Sequence, residues 1–287
     1  MDLKMLVILA LKVSISCMVF GFGLKAKPSD LLYLVRRPGL LVRSLLSVFV
    51  IMPVVAIGLS RWFHFQPEVE STLLALALSP VPPVLPQKQT KAGGEHAYGL
   101  ALMAMLSLLS IVIIPLSMEI LARVFHRPFA MAPIAVAKTV LQAALLPLAL
   151  GLIIRALLPA LAARLEKPVG LLVKILLPLA VVALLAATLS AAGAAIGGGT
   201  ILAIVLFVVV GLIVGHLMGG PDREDSIVLA LSTASRHPAI ALSILTASFP
   251  NGRFGGIILL YLLVSAVVIL PYIKWQKKRV ASAVPGR

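Results

Sequence analysis

Residues 76–86, LALSPVPPVLP, interrupt a long apolar run of this 287-residue chain with a cluster of prolines. Four prolines fall within seven residues of that stretch. Proline lacks the backbone N–H that a helix needs, and its ring clashes with the preceding turn. A continuous helix is therefore excluded here, and the sequence predicts a broken helix over residues 69–91.

A second apolar run, residues 225–248, is interrupted in a similar way. Its stretch LALSTASRHP, residues 229–238, brings small polar residues, an arginine and a proline into the run. Both stretches begin with Leu-Ala-Leu-Ser, and a Gly-Gly pair follows each of them. Each pair leads into an apolar run that ends alike, in IVIIP at residues 111–115 and in VVILP at residues 267–271. The two copies start from opposite sides of the membrane, so the sequence predicts an inverted repeat.

The composition places the chain in a bilayer. Hydrophobic residues make up 61% of it and charged residues 12%, with a mean hydropathy of +1.11, whereas a soluble domain is nearer half apolar and a quarter charged. This composition excludes a soluble enzyme and a disordered chain. A disulfide scaffold is also excluded, because Cys17 is the sole cysteine. A helix needs about 20 apolar residues to cross a bilayer. We predict an all-α polytopic membrane protein, one integral membrane domain over residues 1–287, with spans at 3–24, 39–60, 69–91, 97–122, 132–154, 168–191, 200–218, 225–248 and 255–273.

The positive charges predict the orientation in the membrane. The formal net charge is +15, and most lysines and arginines lie in short loops on one side, which includes the basic tail 274–287. The loop at residues 192–199 carries no charge. The positive-inside rule then predicts a cytoplasmic C-terminus and an external N-terminus in the cell membrane. Since no basic segment is interleaved with aromatic residues, we expect no nucleic acid partner.

Paired discontinuous helices in an inverted repeat are typical of secondary transporters. Unpaired backbone groups at membrane depth are tolerated where they line a cavity or meet a ligand. The alternative is two proline-kinked structural helices. The chain contains no nucleophile elbow, zinc-protease motif or phosphate-binding loop. We therefore expect a transporter rather than an enzyme, with no cofactor and no metal.

Several motifs resemble the bile acid:sodium symporter family over almost the whole chain. Residues 18–24, MVFGFGL, are similar to the family's Phe-Gly-Met-Gly-Leu, and residues 48–53, VFVIMP, resemble its Gln-Phe-x-x-Met-Pro. Ser79 and Pro80 fall where the family has Cys-Pro, and Gly94 matches a glycine in the following turn. The resemblance implies the nine-span form of the family fold, with panel and core domains and two broken helices that cross in the core.

The chain departs from that family at the residues that the resemblance assigns to sodium. A Ser-Asn pair after the first break is replaced by Leu85 and Pro86. Serine and threonine ligands of the next span fall on Gly99 and Met103, and the glutamine of the second motif becomes Val48. The resemblance therefore places apolar residues at most of the family's sodium ligands.

The second broken helix departs further. The family's Glu-x-Gly-x-Gln-Asn aligns with residues 232–237, so that the sodium-binding glutamate becomes Ser232 and the glutamine becomes Arg236. Sodium needs hard oxygen ligands, and a guanidinium repels it. We infer that both family sodium sites are lost and that Arg236 is a fixed cation in their place.

Arg236 is the strongest functional candidate, because an intramembrane arginine normally faces a cavity or a partner. It would clamp a carboxylate or another oxyanion, unless it forms an internal ion pair, for which Glu119 is the candidate. His237 could titrate with a transported proton or satisfy a free backbone carbonyl, and the nearby hydroxyls could contact substrate or bond back to the helix. Lys88 could attract anions or be solvated. The predicted substrate site comprises Arg236, His237, Ser235, Thr233, Ser232, Ser79, Pro80, Lys88 and Gln87.

The sequence thus predicts sodium-independent movement of a small organic anion by alternating access, with proton coupling left open. The alternatives are a sodium-dependent bile acid or organic anion symporter and a non-transporting anion sensor. A cation/proton antiporter would need a carboxylate in a break, and an arsenite permease would want a cysteine there.

Overall fold

The computed structural model describes residues 3–125, 133–197, 199–252 and 254–282, and every regular element in this part of the chain is helical. The α-helices are α1 (Leu3–Lys25), α2 (Pro28–Leu31), α3 (Pro38–Leu45), α4 (Met52–Phe63), α5 (Pro67–Leu78), α6 (Leu85–Lys91), α7 (His96–Phe125), α8 (Pro133–Val140), α9 (Leu146–Leu157), α10 (Pro159–Ala194), α11 (Thr200–Met218), α12 (Arg223–Ala234), α13 (Pro238–Ser248) and α14 (Gly255–Ser282).

Six helical segments are long and apolar enough to cross a membrane by length and composition. They are Pro38–Phe63, His96–Phe125, Ile134–Leu157, Thr200–Met218, Arg223–Ser248 and Gly255–Arg279. An all-helical polytopic membrane protein is thereby confirmed. The predicted spans overlap helices in the described part of the chain, with breaks inside 69–91 and 225–248. The count of nine membrane crossings stays a prediction.

Two of the segments contain a short π-helical turn, Leu46–Ile51 between α3 and α4 and Leu141–Leu145 between α8 and α9. Each π turn ends two residues before a proline, Pro53 or Pro147. The proline removes one backbone donor and crowds the preceding turn, so the helix widens locally instead of ending.

Glycines bring the helices into close contact. α1 packs against α9 through Gly23 and Gly151, whose Cα atoms would each lie within 3 Å of a Cβ added at the other residue. Gly211 and Gly215 of α11, and Gly219 just after it, lie directly against the backbone of α12. The absence of side chains there lets α11 support α12, the first half of the second broken helix, from Ser226 to Ala234.

Gly215→Ala is expected to destabilise the protein, because its Cβ would lie 2.4 Å from the backbone oxygen of Leu229. Overpacking of this kind costs about 1–3 kcal/mol and should appear as a lower melting temperature. Gly58→Ala is the matched control, since a Cβ at Gly58 has nothing within 4 Å. A melting temperature that falls equally in both variants would contradict this account of the packing.

The bundle has two distinguishable ends. At the basic end, α1, α6, α9, α11 and α14 terminate and α12 begins. There Tyr33 donates a hydrogen bond to Asp225 at 2.8 Å, and Arg37 pairs with the same carboxylate at 3.0 Å. Burial, followed by that hydrogen bond, raises the pKa of the Tyr33 hydroxyl, so it stays protonated and keeps donating. The turn after α2 is thus tied to the beginning of α12.

Candidate functional site

The two helix breaks lie against each other in the middle of the bundle. α5 ends at Leu78, and α12 ends at Ala234, where the chain becomes extended. Pro80 and Pro238 disfavour helical backbone in the residues just before them, and Pro238 then starts α13, where its missing N–H costs nothing. The backbone N–H of His237 donates to the carbonyl of Pro80 at 2.8 Å, which joins the two breaks directly.

The half-helices pack in pairs on either side of this junction. α5 contacts α13 towards one end of the bundle, and α6 contacts α12 towards the basic end. The two broken helices therefore cross at their breaks. Backbone groups released from helical hydrogen bonds are concentrated at that crossing.

The Arg236 side chain lies in this crossing and is 1% exposed. Its Nη1 donates to the carbonyl of Ser79 at 3.4 Å, and its guanidinium carbon lies 6.0 Å from the centre of the Phe207 ring. The Nε and Nη2 atoms have no hydrogen-bond partner among the described residues. Most of the donor capacity of this guanidinium is thus unused by the described part of the chain.

No carboxylate in the described part of the chain pairs with Arg236. Glu119, the expected partner in the alternative interpretation, instead pairs with Arg123 at 2.9 Å, and both side chains are largely exposed. The ion-pair interpretation with Glu119 is therefore wrong. A buried cation without a counter-ion is costly, which makes the crossing a favourable place for an anion.

Tyr261 of α14 completes the second break from a neighbouring helix. Its hydroxyl accepts the backbone N–H of Arg236 at 2.7 Å and donates to the carbonyl of Ala234 at 3.4 Å. Two groups that lost their helical partners are thus satisfied by one side chain. Tyr261 fixes the backbone from which the Arg236 side chain projects.

Tyr261→Phe is expected to destabilise the protein by about 1–3 kcal/mol, because it leaves a buried N–H without an acceptor. If Arg236 binds a substrate, the change should also weaken substrate affinity by letting Arg236 move. Tyr272→Phe is the matched control, since its hydroxyl bonds His216 instead of the break. Melting temperature and the KM of uptake measure the two effects, and equal behaviour of both variants would contradict a positioning role for Tyr261.

The predicted hydroxyl residues are buried at the crossing, and two of the four bond to other helices. Thr233 shares a hydrogen bond of 2.6 Å with Ser47, and Ser232 accepts one from Gln89 at 2.7 Å. Ser79 donates back to the carbonyl of Leu76 at 2.8 Å. Ser235 ends α12 through its backbone N–H. These hydroxyls stabilise the crossing, and the backbone carbonyl of Ser79 accepts the hydrogen bond from Arg236.

His237 lies beside Arg236 and is nearly buried. Its Nδ1 has no hydrogen-bond partner among the described residues, so the expectation that the ring satisfies a free backbone carbonyl is not met by that nitrogen. The available ring nitrogen can accept a proton or a hydrogen bond from a ligand.

Gln89 is the site residue that the sequence analysis missed. It is 1% exposed, and its Nε2 donates to the carbonyl of Val228 at 3.0 Å as well as to Ser232. Its Oε1 has no partner in the described chain and would lie 2.7 Å from a Cβ at Gly99. The amide thus fills the space between Ser232 and Gly99, two positions that the resemblance assigns to sodium ligands.

The two predicted residues beside Gln89 are not brought to the crossing. Lys88 is exposed and Gln87 is partly exposed on α6. Only every third or fourth residue of a helix faces the same neighbour, so Gln89 turns towards α12 while Lys88 turns away. Their predicted contact with substrate finds no support in this arrangement.

The comparisons with known proteins give the family. The model of the Sodium Bile acid symporter family matches residues 12–197, more than half of the chain. The chain belongs to this family of membrane transporters. Crossed, discontinuous helices around a buried site suit transport between two sides of a membrane.

One relative is an uncharacterized sodium-dependent transporter of Bacillus subtilis (strain 168), YocS. It is 28% identical over 137 residues, which cover 48% of this chain and 42% of the relative. The family member described here therefore aligns with less than half of that protein.

Proposed function

We propose that this family member is a secondary transporter of a small organic anion that works by alternating access without sodium. The single observation that carries the proposal is Arg236, a buried guanidinium at the helix crossing whose Nε and Nη2 have no partner in the described chain. A carboxylate or sulfonate is the group that fits two parallel N–H donors.

Arg236 acts as the fixed cation that binds the anionic group. Its Nη1 already donates to Ser79, so Nε and Nη2 form the two-pronged donor towards the substrate. Phe207 lies beside the guanidinium and limits the water around it, which strengthens the attraction. The free Nδ1 of His237 is the neighbouring group that could accept a second hydrogen bond or a proton.

The absence of sodium coupling is supported by the side chains that lie where the resemblance assigns the family's sodium ligands. A sodium ion needs several oxygen ligands, whereas the Nε2 donor of Gln89 fills the space beside Ser232 and Val228. Arg236, a few residues away on the same broken helix, adds a repulsive charge. An amide donor and a guanidinium together make this region unsuitable for a cation.

The transport cycle in this proposal uses nine membrane crossings and an inverted repeat. The basic end lies in the cytoplasm of a cell, the N-terminus is external, and the C-terminus is internal, as the positive-inside rule indicates. Because Arg236 is almost fully buried, the structure corresponds to a closed state of the site. The bundle must open towards each side in turn for an anion to reach the guanidinium.

The proposal is tested by a thermal-shift screen of carboxylates and sulfonates on the purified protein. A ligand that binds Arg236 should raise the melting temperature of the natural protein but not of Arg236→Gln. Arg123→Gln serves as control because Arg123 lies at the surface. Stabilisation by the ligand that persists in Arg236→Gln would contradict the assignment of the site. A ligand that stabilises the protein but is not exchanged across the membrane of protein-containing vesicles would indicate a sensor.

The second candidate function is a sodium-dependent symporter of organic anions. The name of the Bacillus relative, a sodium-dependent transporter, favours it. In that case sodium ligands must come from groups other than Ser232 and Gly99, where the Gln89 amide now lies. Sodium-dependent stabilisation of the natural protein would support this candidate over the first.

A further inference from the structure

We propose that the basic end of α14 is a binding surface for the headgroups of anionic membrane lipids. α14 continues to Ser282, and its last turns carry Lys274, Lys277 and Lys278. These three residues have the spacing i, i+3 and i+4, so they lie on one face of the helix. All three are exposed.

An aromatic group on the adjacent face marks the depth of the membrane interface. Trp275 is 43% exposed and lies 5.8 Å from Tyr272 and 5.7 Å from His216, measured between ring centres. Trp and Tyr side chains concentrate at the level of the lipid headgroups. The Arg279 guanidinium lies 4.9 Å from the Trp275 ring, so positive charge is held at that same level.

The surrounding carboxylates face away from this surface. α14 itself contains no acidic residue. At the start of the neighbouring α12, Asp225 and the preceding Asp222 both face Arg37. Glu224 lies beside Glu95. Among the described residues, no carboxylate pairs with any of the three lysines.

The neighbouring arginine of α12 adds to the positive surface and fixes its position. Arg223 donates to both the side-chain and the backbone oxygen of Gln276, which places its guanidinium against α14. Gln276 is fully buried. The end of α14 is therefore held to α12 and presents its lysines outward.

These observations fit an anionic lipid surface better than a soluble anion. A row of exposed lysines beside a tryptophan offers several shallow contacts and no enclosed pocket, which matches a layer of headgroups. Lysines near such a surface contribute about 1 kcal/mol each, equivalent to about fivefold in affinity per lysine. The positive charge of the lysines and the position of Trp275 at the membrane interface thus both indicate an anionic lipid headgroup as the ligand.

The test uses Trp275 as the reporter in the full-length chain. Trp62→Phe leaves Trp275 as the only tryptophan, since the sequence contains two. The protein in neutral detergent is titrated with brominated phosphatidylglycerol, which quenches tryptophan on contact, and in parallel with brominated phosphatidylcholine. We expect half-quenching at a much lower content of the anionic lipid.

Replacing Lys274, Lys277 and Lys278 together by glutamine should raise the phosphatidylglycerol content at half-quenching at least tenfold. The matched control replaces Lys25, Arg164 and Lys167, three exposed basic residues elsewhere at the basic end, and should change nothing. Equal quenching by both lipids, or an unchanged lysine variant, would overturn the proposal. Loss of quenching on adding inorganic phosphate alone would instead assign the surface to a soluble anion and would also overturn it.

Discussion

Arg236→Met is expected to abolish uptake while raising the melting temperature of the protein. Removing the guanidinium from a buried, charge-assisted contact with the substrate costs about 3 kcal/mol or more of binding free energy. This loss should lower the uptake rate by more than about 100-fold. The same change removes an intramembrane charge that has no counter-ion, a gain of about 2 kcal/mol. For a chain of this size that gain corresponds to roughly 4–8 °C. Uptake into vesicles and thermal unfolding of the purified protein measure the two effects.

The opposite signs of these effects separate a binding residue from a structural one. If Arg236 mainly holds the carbonyl of Ser79, its replacement by methionine should lower the melting temperature. Arg123→Met is the control, because a surface pair with Glu119 changes stability by less than about 0.5 kcal/mol. A less stable Arg236→Met variant that still transports would contradict the proposed role.

Gln89→Glu is expected to create a response to sodium that the natural protein lacks. A carboxylate at this position would be buried beside the carbonyl of Val228 and the hydroxyl of Ser232. Three kinds of hard oxygen would then face one another, and a cation would relieve their repulsion. In choline chloride the melting temperature of Gln89→Glu should lie several degrees below that of the natural protein, since an unpaired buried charge costs several kcal/mol. In sodium chloride part of that loss in melting temperature should be recovered.

Gln87→Glu provides the comparison on the same helix. Gln87 is only partly buried and takes no part in the contacts at the crossing, so its carboxylate should show no sodium response. A higher melting temperature of the natural protein in sodium chloride than in choline chloride would contradict this role of Gln89. The same melting temperature of Gln89→Glu in both salts would also contradict it.

Much of the helical architecture was predictable because bilayer crossing imposes strong rules on sequence. The apolar run at residues 200–218 coincides with α11, and the prolines after Leu78 and His237 mark where helices end or begin. Boundaries were less predictable. α10 begins at Pro159, and α14 continues to Ser282, since helices extend beyond the hydrocarbon where charged residues meet water.

The site was only partly predictable. Arg236 could be recognised because a charge inside an apolar run is rare, and the sequence alone indicated its importance. Gln89 could not, because its role depends on how α6 is rotated against α12, far along the chain. Tyr261 and Phe207 gave no signal, since aromatic residues are ordinary in membrane helices. Lys88 shows the same limit, because it is next to Gln89 in the sequence but lies exposed on a different face of α6.

Uptake by proteoliposomes with sodium replaced by choline shows whether transport depends on sodium or on Arg236. Once the thermal-shift screen has identified an anion that needs Arg236, its labelled form is given to vesicles under equal pH and ionic strength. Our account predicts the same initial rate in sodium and in choline, and no uptake by Arg236→Met in either. Uptake that stops when choline replaces sodium would contradict the claim that a fixed guanidinium serves where a sodium ion would otherwise be needed.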